Sequence, residues 1–430
     1  MKYIKKVLEN GMTIVLVPMK NVQLVSMGFF VNAGSRDEAS ENNGIAHFLE
    51  HMMFKGTSKR SAEDLFRELD TIGTTYNAAT STQYTYYYVL GNMSHTKKIL
   101  DIVLDIYLRP DFKTKEINPE KKVIIEEMRL RSDMPFAKLY NVMHRKIFRG
   151  TSLERTIIGV EDTVMNFGKA DLKDFRLKMY TPQNTVFVMA GNFSPGPIFD
   201  MVKKVLNSVE NVSPTCHCYT LESTQILDQM QKQDQPYVFI KQNMMFQQVY
   251  LLLAFPIYDL YQSHDMAIDL LSQLLSTGFS GRLNSALREK KGITYNLATY
   301  PIVYSDAGIF AIQMVLNPVE LVPGIKITLR ELKRIKNKPI SNDEMKKIKN
   351  VTKNNVLYSM TKPLEILTYF GINFLIDRNF KPDLVRNFQR LKKVTKGEIL
   401  KISREIFIRD KINLFLYGNV TETNFDFMSL

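Results

Sequence analysis

Cysteine is nearly absent: the 430 residues contain only Cys216 and Cys218, with His217 between them. One intervening residue is too tight for an ordinary disulfide, and two thiols cannot staple a chain this long, so a disulfide scaffold is excluded. Cys-His-Cys is half of a metal site with no second cysteine pair to complete it. Two free thiols in a linker are therefore expected, in keeping with a reducing compartment. Long apolar runs are missing as well. The longest resemble Val249-Tyr-Leu-Leu-Leu-Ala-Phe255, far short of the roughly 20 residues of a membrane-spanning helix. Glycine (20) and proline (16) are modest and no low-complexity tract appears, which excludes collagen-like fibre and wholesale disorder. Met1-Lys-Tyr-Ile-Lys-Lys offers neither an apolar signal core nor a cleavage site, so the start of the chain is expected to be part of the fold and the location cytoplasmic.

What is present is ordinary globular material, 45% apolar and 23% charged, enough for two to four domains at roughly 100–200 residues each. The net charge is +13, from 57 Lys and Arg against 44 Asp and Glu. The positive residues are spread out, in pairs such as Lys290-Lys291, and no nucleic-acid motif accompanies them. Such charge speaks to solubility and steering, and no nucleic-acid partner is expected.

Alternation and turn chemistry predict strands at 12–18, 23–32, 84–90 and 184–191, and helices at 43–55, 61–72, 94–108 and 118–131. Ser61 is the expected N-cap of the second helix, with Asp64 three residues on. Asn118-Pro119 is the expected cap and first turn of the fourth. The two halves of the chain repeat one another. Gly73-Thr-Thr-Tyr-Asn-Ala-Ala-Thr80 matches Gly292-Ile-Thr-Tyr-Asn-Leu-Ala-Thr299 at six of eight positions, an offset of 292 − 73 = 219. Gln23–Val31 resembles Gln248–Pro256, and Val186–Asn192 resembles Asn413–Asn419, at offsets of 225 and 227. Three collinear matches imply a duplicated domain. Without a regular βαβ rhythm, the halves are expected to be α+β. The division is an N-terminal domain over 1–208, a polar linker over 209–235 and a second domain over 236–430.

One segment carries chemistry: Gly44-Ile-Ala-His47-Phe-Leu-Glu50-His51-Met-Met-Phe54. On a helix, His47 and His51 lie on one face about 5–6 Å apart at Cβ, a spacing at which two imidazoles share one Zn²⁺. Glu50 sits beside them and can reach a water on the metal without occupying a ligand position, the reversed zincin pattern His-x-x-Glu-His. A carboxylate among Ile45, Phe48, Leu49 and Met52 also needs a partner if buried. Catalytic zinc sites usually take three protein ligands. The third is sought on the helix containing Glu120, Glu126 and Glu127. Glu126 neighbours Lys122 and Arg129, an exposed face, whereas Glu127 neighbours Val123, Ile124 and Leu130, an apolar one. Glu127 is therefore the expected ligand, with Glu120, two turns earlier, behind it.

With these residues the chain resembles the pitrilysin and mitochondrial processing peptidase family of zinc metallopeptidases. The likeness is carried by Gly44–Thr57 (GIAHFLEHMMFKGT), by Glu120-x6-Glu127 and by Arg288-Glu-Lys-Lys-Gly-Ile-Thr-Tyr295. It implies two homologous α+β domains closing like a clamshell around a peptide chamber. Carried over by position, it implies one zinc per chain on His47, His51 and Glu127, with Glu50 as general base on the zinc-held water. Glu120 would orient the site, and Arg288 and Tyr295 would reach in from the second half. Asn77 and Ala78 resemble the substrate-facing strand. In the second half the positions of His47, Glu50 and His51 fall, at the offset of 225, on Ser272, Leu275 and Ser276, which cannot replace them. The activity implied is a zinc metalloendopeptidase acting on peptides or unfolded, presequence-like segments. Family members of this length generally pair two chains, and because this one carries both motifs a homodimer is expected. A catalytically silent partner is the alternative, and the intact His47, Glu50, His51 and Glu127 speak against it.

Overall fold

A computed structural model describes residues 2–210, 228, 232–257 and 260–428. Cys216-His217-Cys218 and most of the 209–235 linker lie outside the described residues.

The first half contributes strands β1 (Ile4–Val7), β2 (Thr13–Pro18), β3 (Leu24–Val31), β4 (Thr75–Thr80), β5 (Thr85–Asn92) and β6 (Thr185–Gly191). They form one sheet in the order β1-β2-β6-β3-β5-β4, antiparallel except for the parallel pair β2–β6. The second half contributes β7 (Tyr237–Gln242), β8 (Val249–Pro256), β9 (Thr294–Val303), β10 (Gly308–Leu316) and β11 (Asn413–Gly418). Their order is β7-β11-β8-β10-β9, again with one parallel pair, β7–β11. Taken from β2 onward, the two sheets have the same topology. The three repeated segments fall on its equivalent strands, β3 with β8, β4 with β9 and β6 with β11.

Helices α1 (Ile45–Met53), α2 (Ala62–Thr71), α3 (Thr96–Leu108), α4 (Thr114–Asp133) and α5 (Pro135–Ile147) follow within the first half. Ser61 caps α2, its side chain accepting from the Asp64 backbone N–H. The cap expected at Asn118 is absent. The backbone N–H of Ile117 already bonds Lys113, and α4 starts at Thr114 with Pro119 inside it. Starting this early, α4 reaches back past Glu120 and holds it in regular helix.

Central strands are buried on both faces, as their continuous apolar runs require. On β2, Ile14 and Leu16 join a core with α1 and α3, while Val15 and Val17 join a separate one on the other face. That other face, completed by Phe30, Val186, Val188 and Ala190, is covered by a helix from the second half of the chain, Pro363–Ile376, through Ile366, Leu367, Phe370 and Phe374. Gly371 makes the approach possible, because a Cβ there would stand 2.4 Å from the Phe30 ring. The reciprocal arrangement holds in the second sheet. There, Leu252, Ala254, Ile309, Ala311 and Phe415 pack against Leu139, Met143 and Ile147 of α5.

The two compact units are therefore interleaved in sequence. The first draws on Met1–Arg129, on the first half again from Arg155, and on Leu357–Asp383; the second draws on Leu130–Glu154, the second half up to Val356, and Leu384–Leu430. A cut at 208 and 236 separates the duplicated sequences but leaves each sheet without one of its helices. Among the described residues no helix is long and apolar enough to cross a membrane.

Candidate metal centre

Helix α1 is short, and its N-terminus is fixed from outside. Gly44 precedes it at φ +100, where a Cβ would stand 2.8 Å from Gly159 Cα and from Ile158 O. Glu38, 5% exposed, turns its carboxylate onto the open end of the helix. It accepts from the N–H of Gly44 (2.8 Å), the N–H of Ala46 (2.9 Å) and the Asn43 amide (2.8 Å). Three donors and the positive end of the helix favour the anion there. Burial opposes them and, despite the donors and nearby Arg155, lifts the Glu38 pKa to about 8. Sequence reasoning missed this residue because a cap seven positions before the first residue of the helix follows no local spacing rule.

The apolar face of α1, with Ile45, Ala46, Phe48, Leu49, Met52 and Met53 buried, presses into the core and leaves His47, Glu50 and His51 on the remaining side. The two imidazole rings are 4.6 Å apart between centroids. Glu127 of α4 meets both, its Oε2 lying 3.7 Å from His47 Nε2 and 3.5 Å from His51 Nε2. Among the described residues His47, His51 and Glu127 form a group whose candidate ligand atoms all lie within 4.8 Å of one another. Ligands held tetrahedrally at roughly 2.0–2.2 Å from zinc stand about 3.3–3.5 Å apart, so the two Glu127 distances are close to a shared-ion geometry, and the group as a whole would contract from its 4.8 Å span to hold one ion.

The expectation that Glu127 lies on a buried apolar face needs correction. Ile124 and Ile125 are buried, but Val123 is 50% and Leu130 64% exposed. Glu127 sits on a half-open side of α4 with a quarter of its side chain accessible. Glu126 points to solvent and pairs with Arg129. The two glutamates differ in burial, 68% against 25% exposed, and it is Glu127 that the histidine pair faces.

Glu120, 4% exposed, lies behind His51, with its Oε1 2.8 Å from His51 Nδ1 and its Oε2 2.5 Å from Lys55 Nζ. Burial alone would raise its pKa, but His51 and Lys55 outweigh burial and lower it. A carboxylate only accepts, so His51 Nδ1 carries a hydrogen and Nε2 is the nitrogen offered toward Glu127. Burial would lower the His51 pKa too, yet its hydrogen bonds to Glu120 and Glu127 and the charge of Glu50 push it up to about 9. A metal ion taken up at Nε2 would therefore displace a proton.

Glu50 finds its partner in Thr80 at the end of β4, whose hydroxyl donates to Glu50 Oε2 at 2.5 Å. Burial raises the Glu50 pKa, and Thr80 and His51 restrain the rise. Neither Thr80 nor Lys55 was singled out in the sequence, although each lies in a segment that was: Thr80 closes the first copy of the repeat and Lys55 sits in the stretch after His51. Asn77 and Ala78 lie on β4, which pairs only with β5 among the described strands and so forms an edge of its sheet beside α1. Asn77 is exposed and its side chain accepts from the Ala78 N–H.

Arg288 and Tyr295 adjoin each other in the second unit. Arg288 lies in a π-helical turn, Asn284–Glu289, rather than a regular helix. Its guanidinium carbon is 4.7 Å from the centroid of the Tyr295 ring, so it meets the ring and not the hydroxyl.

Comparison with known proteins identifies the family. The family model described as insulinase, peptidase family M16, matches residues 13–161, and that described as peptidase M16 inactive domain matches residues 166–352. A Bacillus subtilis protein named as an uncharacterised zinc protease, YmxG, is 29% identical over 405 residues, covering 94% of this chain and 95% of its own. A Rickettsia felis protein with the same description is 29% identical over 403 residues, covering 93% and 94%. In fold the chain is similar to the crystal structure of a protease from Helicobacter pylori, with a TM-score of 0.86 at 24% identity over 97% of this chain and 99% of that one. A Pseudomonas fluorescens structure described as a peptidase M16 inactive domain gives the same TM-score at 15% identity over 99% and 100%. With both family models matched in order, and with His-x-x-Glu-His inside the first and Ser272, Leu275 and Ser276 inside the second, the chain belongs to peptidase family M16.

Proposed function

We propose that this protein is a zinc metalloendopeptidase that hydrolyses extended peptides or unfolded, presequence-like segments. The observation that carries this reading is the convergence of His47, His51 and Glu127 with Glu50 beside them and outside the ligand set. His47, His51 and Glu127 would hold one zinc ion per chain. When bound, the ion supplies a Lewis acid for the scissile carbonyl and an acidified water as nucleophile. Glu50, its pKa raised by burial, is suited to take that water's proton and pass it to the leaving amine. Thr80 keeps Glu50 aimed, and Glu120 with Lys55 fixes the ring of His51.

The open edge of β4 suits an extended peptide added as a further strand. Main-chain bonds would then supply affinity with little sequence demand, and Asn77 and Ala78 would be substrate contacts. Arg288 and Tyr295 are proposed to donate hydrogen bonds to a substrate carbonyl or its oxyanion. A homodimer that needs no second kind of subunit follows from the presence of both motifs in one chain. Relatives named as zinc proteases support the choice of ion.

The test is mass spectrometry of a mixed peptide library incubated with purified protein, alongside metal analysis and light scattering. About one zinc per chain, internal cleavages that a chelator abolishes and zinc restores, and a dimeric mass are expected. Metal-replete protein that cleaves nothing would sink the reading.

A further inference from the structure

An arginine held by hydrogen bonds has spent its donors; one held by its flat faces has not. Arg288 is flanked by two aromatic rings. Its side chain is one-third exposed, its nearest carboxylate is the adjacent Glu289 at 3.7 Å, and among the described residues its guanidinium makes no hydrogen bond. Instead its guanidinium carbon lies 4.9 Å from the ring centroid of Phe279 and 4.7 Å from that of Tyr295. Guanidinium stacks on aromatic faces while its N–H groups, which lie in its plane, stay available.

Phe279 is an unusual residue to find outside, with 65% of its surface exposed. Nor is it on a loose loop. The Asn284 amide donates to Ser276 O (2.6 Å) and Gly278 O (2.8 Å), and Lys347 Nζ donates to Ser280 O (2.7 Å). Arg282 forks onto Glu344 at 2.7 and 3.0 Å, which brings the Glu344 pKa down to about 2. These ties fix the backbone on both sides of an exposed ring that has no core to fill. The π-helical turn carries Arg288 up to that ring.

We infer that Phe279 is a positioning residue for Arg288, holding the guanidinium by its face so that its donors remain free for a peptide carbonyl. The inference rests on the proposed role of Arg288 in peptide hydrolysis. Fixing the fork before substrate arrives removes an ordering cost from the productive complex.

The test is a double-mutant cycle on zinc-loaded protein with a peptide found to be cleaved. Phe279→Leu keeps the apolar bulk but loses the aromatic face, and should lower kcat/KM about three- to tenfold, chiefly through kcat. Phe279→Tyr keeps the face and should restore wild-type turnover. In the Arg288→Ala background, Phe279→Leu should cost nothing more. Zinc content and thermal unfolding should be unchanged throughout. An unaltered Phe279→Leu enzyme, or an equal loss in both backgrounds, overturns the inference, the latter because Phe279 would then act without Arg288. If Arg288→Ala itself has full activity, it is the role of Arg288 that fails. Crystal structures of the two Phe279 variants then decide the positioning separately: one ordered guanidinium in Phe279→Tyr and several conformers in Phe279→Leu are expected, and an ordered one in both refutes it.

Discussion

In the first unit, α1 lies beside the edge strand β4 and the Thr80 hydroxyl donates to Glu50. In the second, the helix Leu260–Ser276 lies beside the equivalent strand β9, and Thr299, the repeat partner of Thr80, bonds Ser272 and Ser276. Ser272 Oγ also donates to Thr299 O at 2.6 Å. A polar tie between this helix and this strand thus recurs whether or not histidines are present, which marks it as part of the scaffold. What distinguishes the first unit is the pair of imidazoles on α1 and the two α4 carboxylates that meet them. The second keeps the helix and the threonine and has hydroxyls where the first has imidazoles. The two copies share the support and differ in the side chains set on it.

Substitutions can break this contrast or sharpen it. The largest effect is expected from erasing what is unique to the first unit. His47→Ala, His51→Ala or Glu127→Ala should each strip the metal and with it essentially all turnover, whereas Glu126→Ala should keep both. Metal analysis of the four proteins checks this, and metal loss in Glu126→Ala alone would reverse the assignment of the two glutamates. Next comes Glu50→Gln, which should retain about one zinc per chain but lose turnover on the order of 10²-fold or more. A variant that also loses its zinc would make Glu50 a ligand instead of a base. Glu120→Gln weakens the bond that orients His51, so zinc affinity measured by competing chelators should fall by about 10–100-fold. Smallest is the matching cut in the second unit. Ser272→Ala should lower unfolding stability by about 1 kcal/mol, read by denaturant titration, with zinc content and kcat unchanged. A large loss of activity from Ser272→Ala would mean that the second unit's helix is more than support.

The sequence made some of this visible and hid the rest for physical reasons. His47, Glu50 and His51 stand out because helical periodicity alone puts them on one side, and the structure brings Glu127 to the same place. The face argument for Glu127 holds in part: Glu126 is the exposed, Arg129-paired member and Ile124 is buried, but Val123 and Leu130 are exposed. An apolar residue at helical spacing says that a face exists, not that anything covers it. The repeats at Gly73 and Gly292 were legible as a duplication, because β4 and β9 keep both pattern and turn. Glu38 and Thr80 were not singled out, because their hydrogen bonds join segments whose separation in sequence follows no local rule. Nor was the exchange of α5 and Pro363–Ile376 legible. Each is a helix with an apolar face, and nothing in a 3.6-residue period says which of two similar sheets it will cover.

That exchange bears on how the protein is made. A ribosome delivers β6 complete at Gly191, yet the helix that covers the Val15, Val17, Phe30, Val186 and Val188 face ends only at Ile376, 376 − 191 = 185 residues later. At roughly 5–20 residues per second the first sheet waits about 10–40 seconds with one apolar side bare. During that interval the nascent chain presents a sticky surface to its neighbours, so yield in the cell should depend on holding chaperones during synthesis. A fragment ending at residue 208 never receives its missing helix and should aggregate however long it is left to fold.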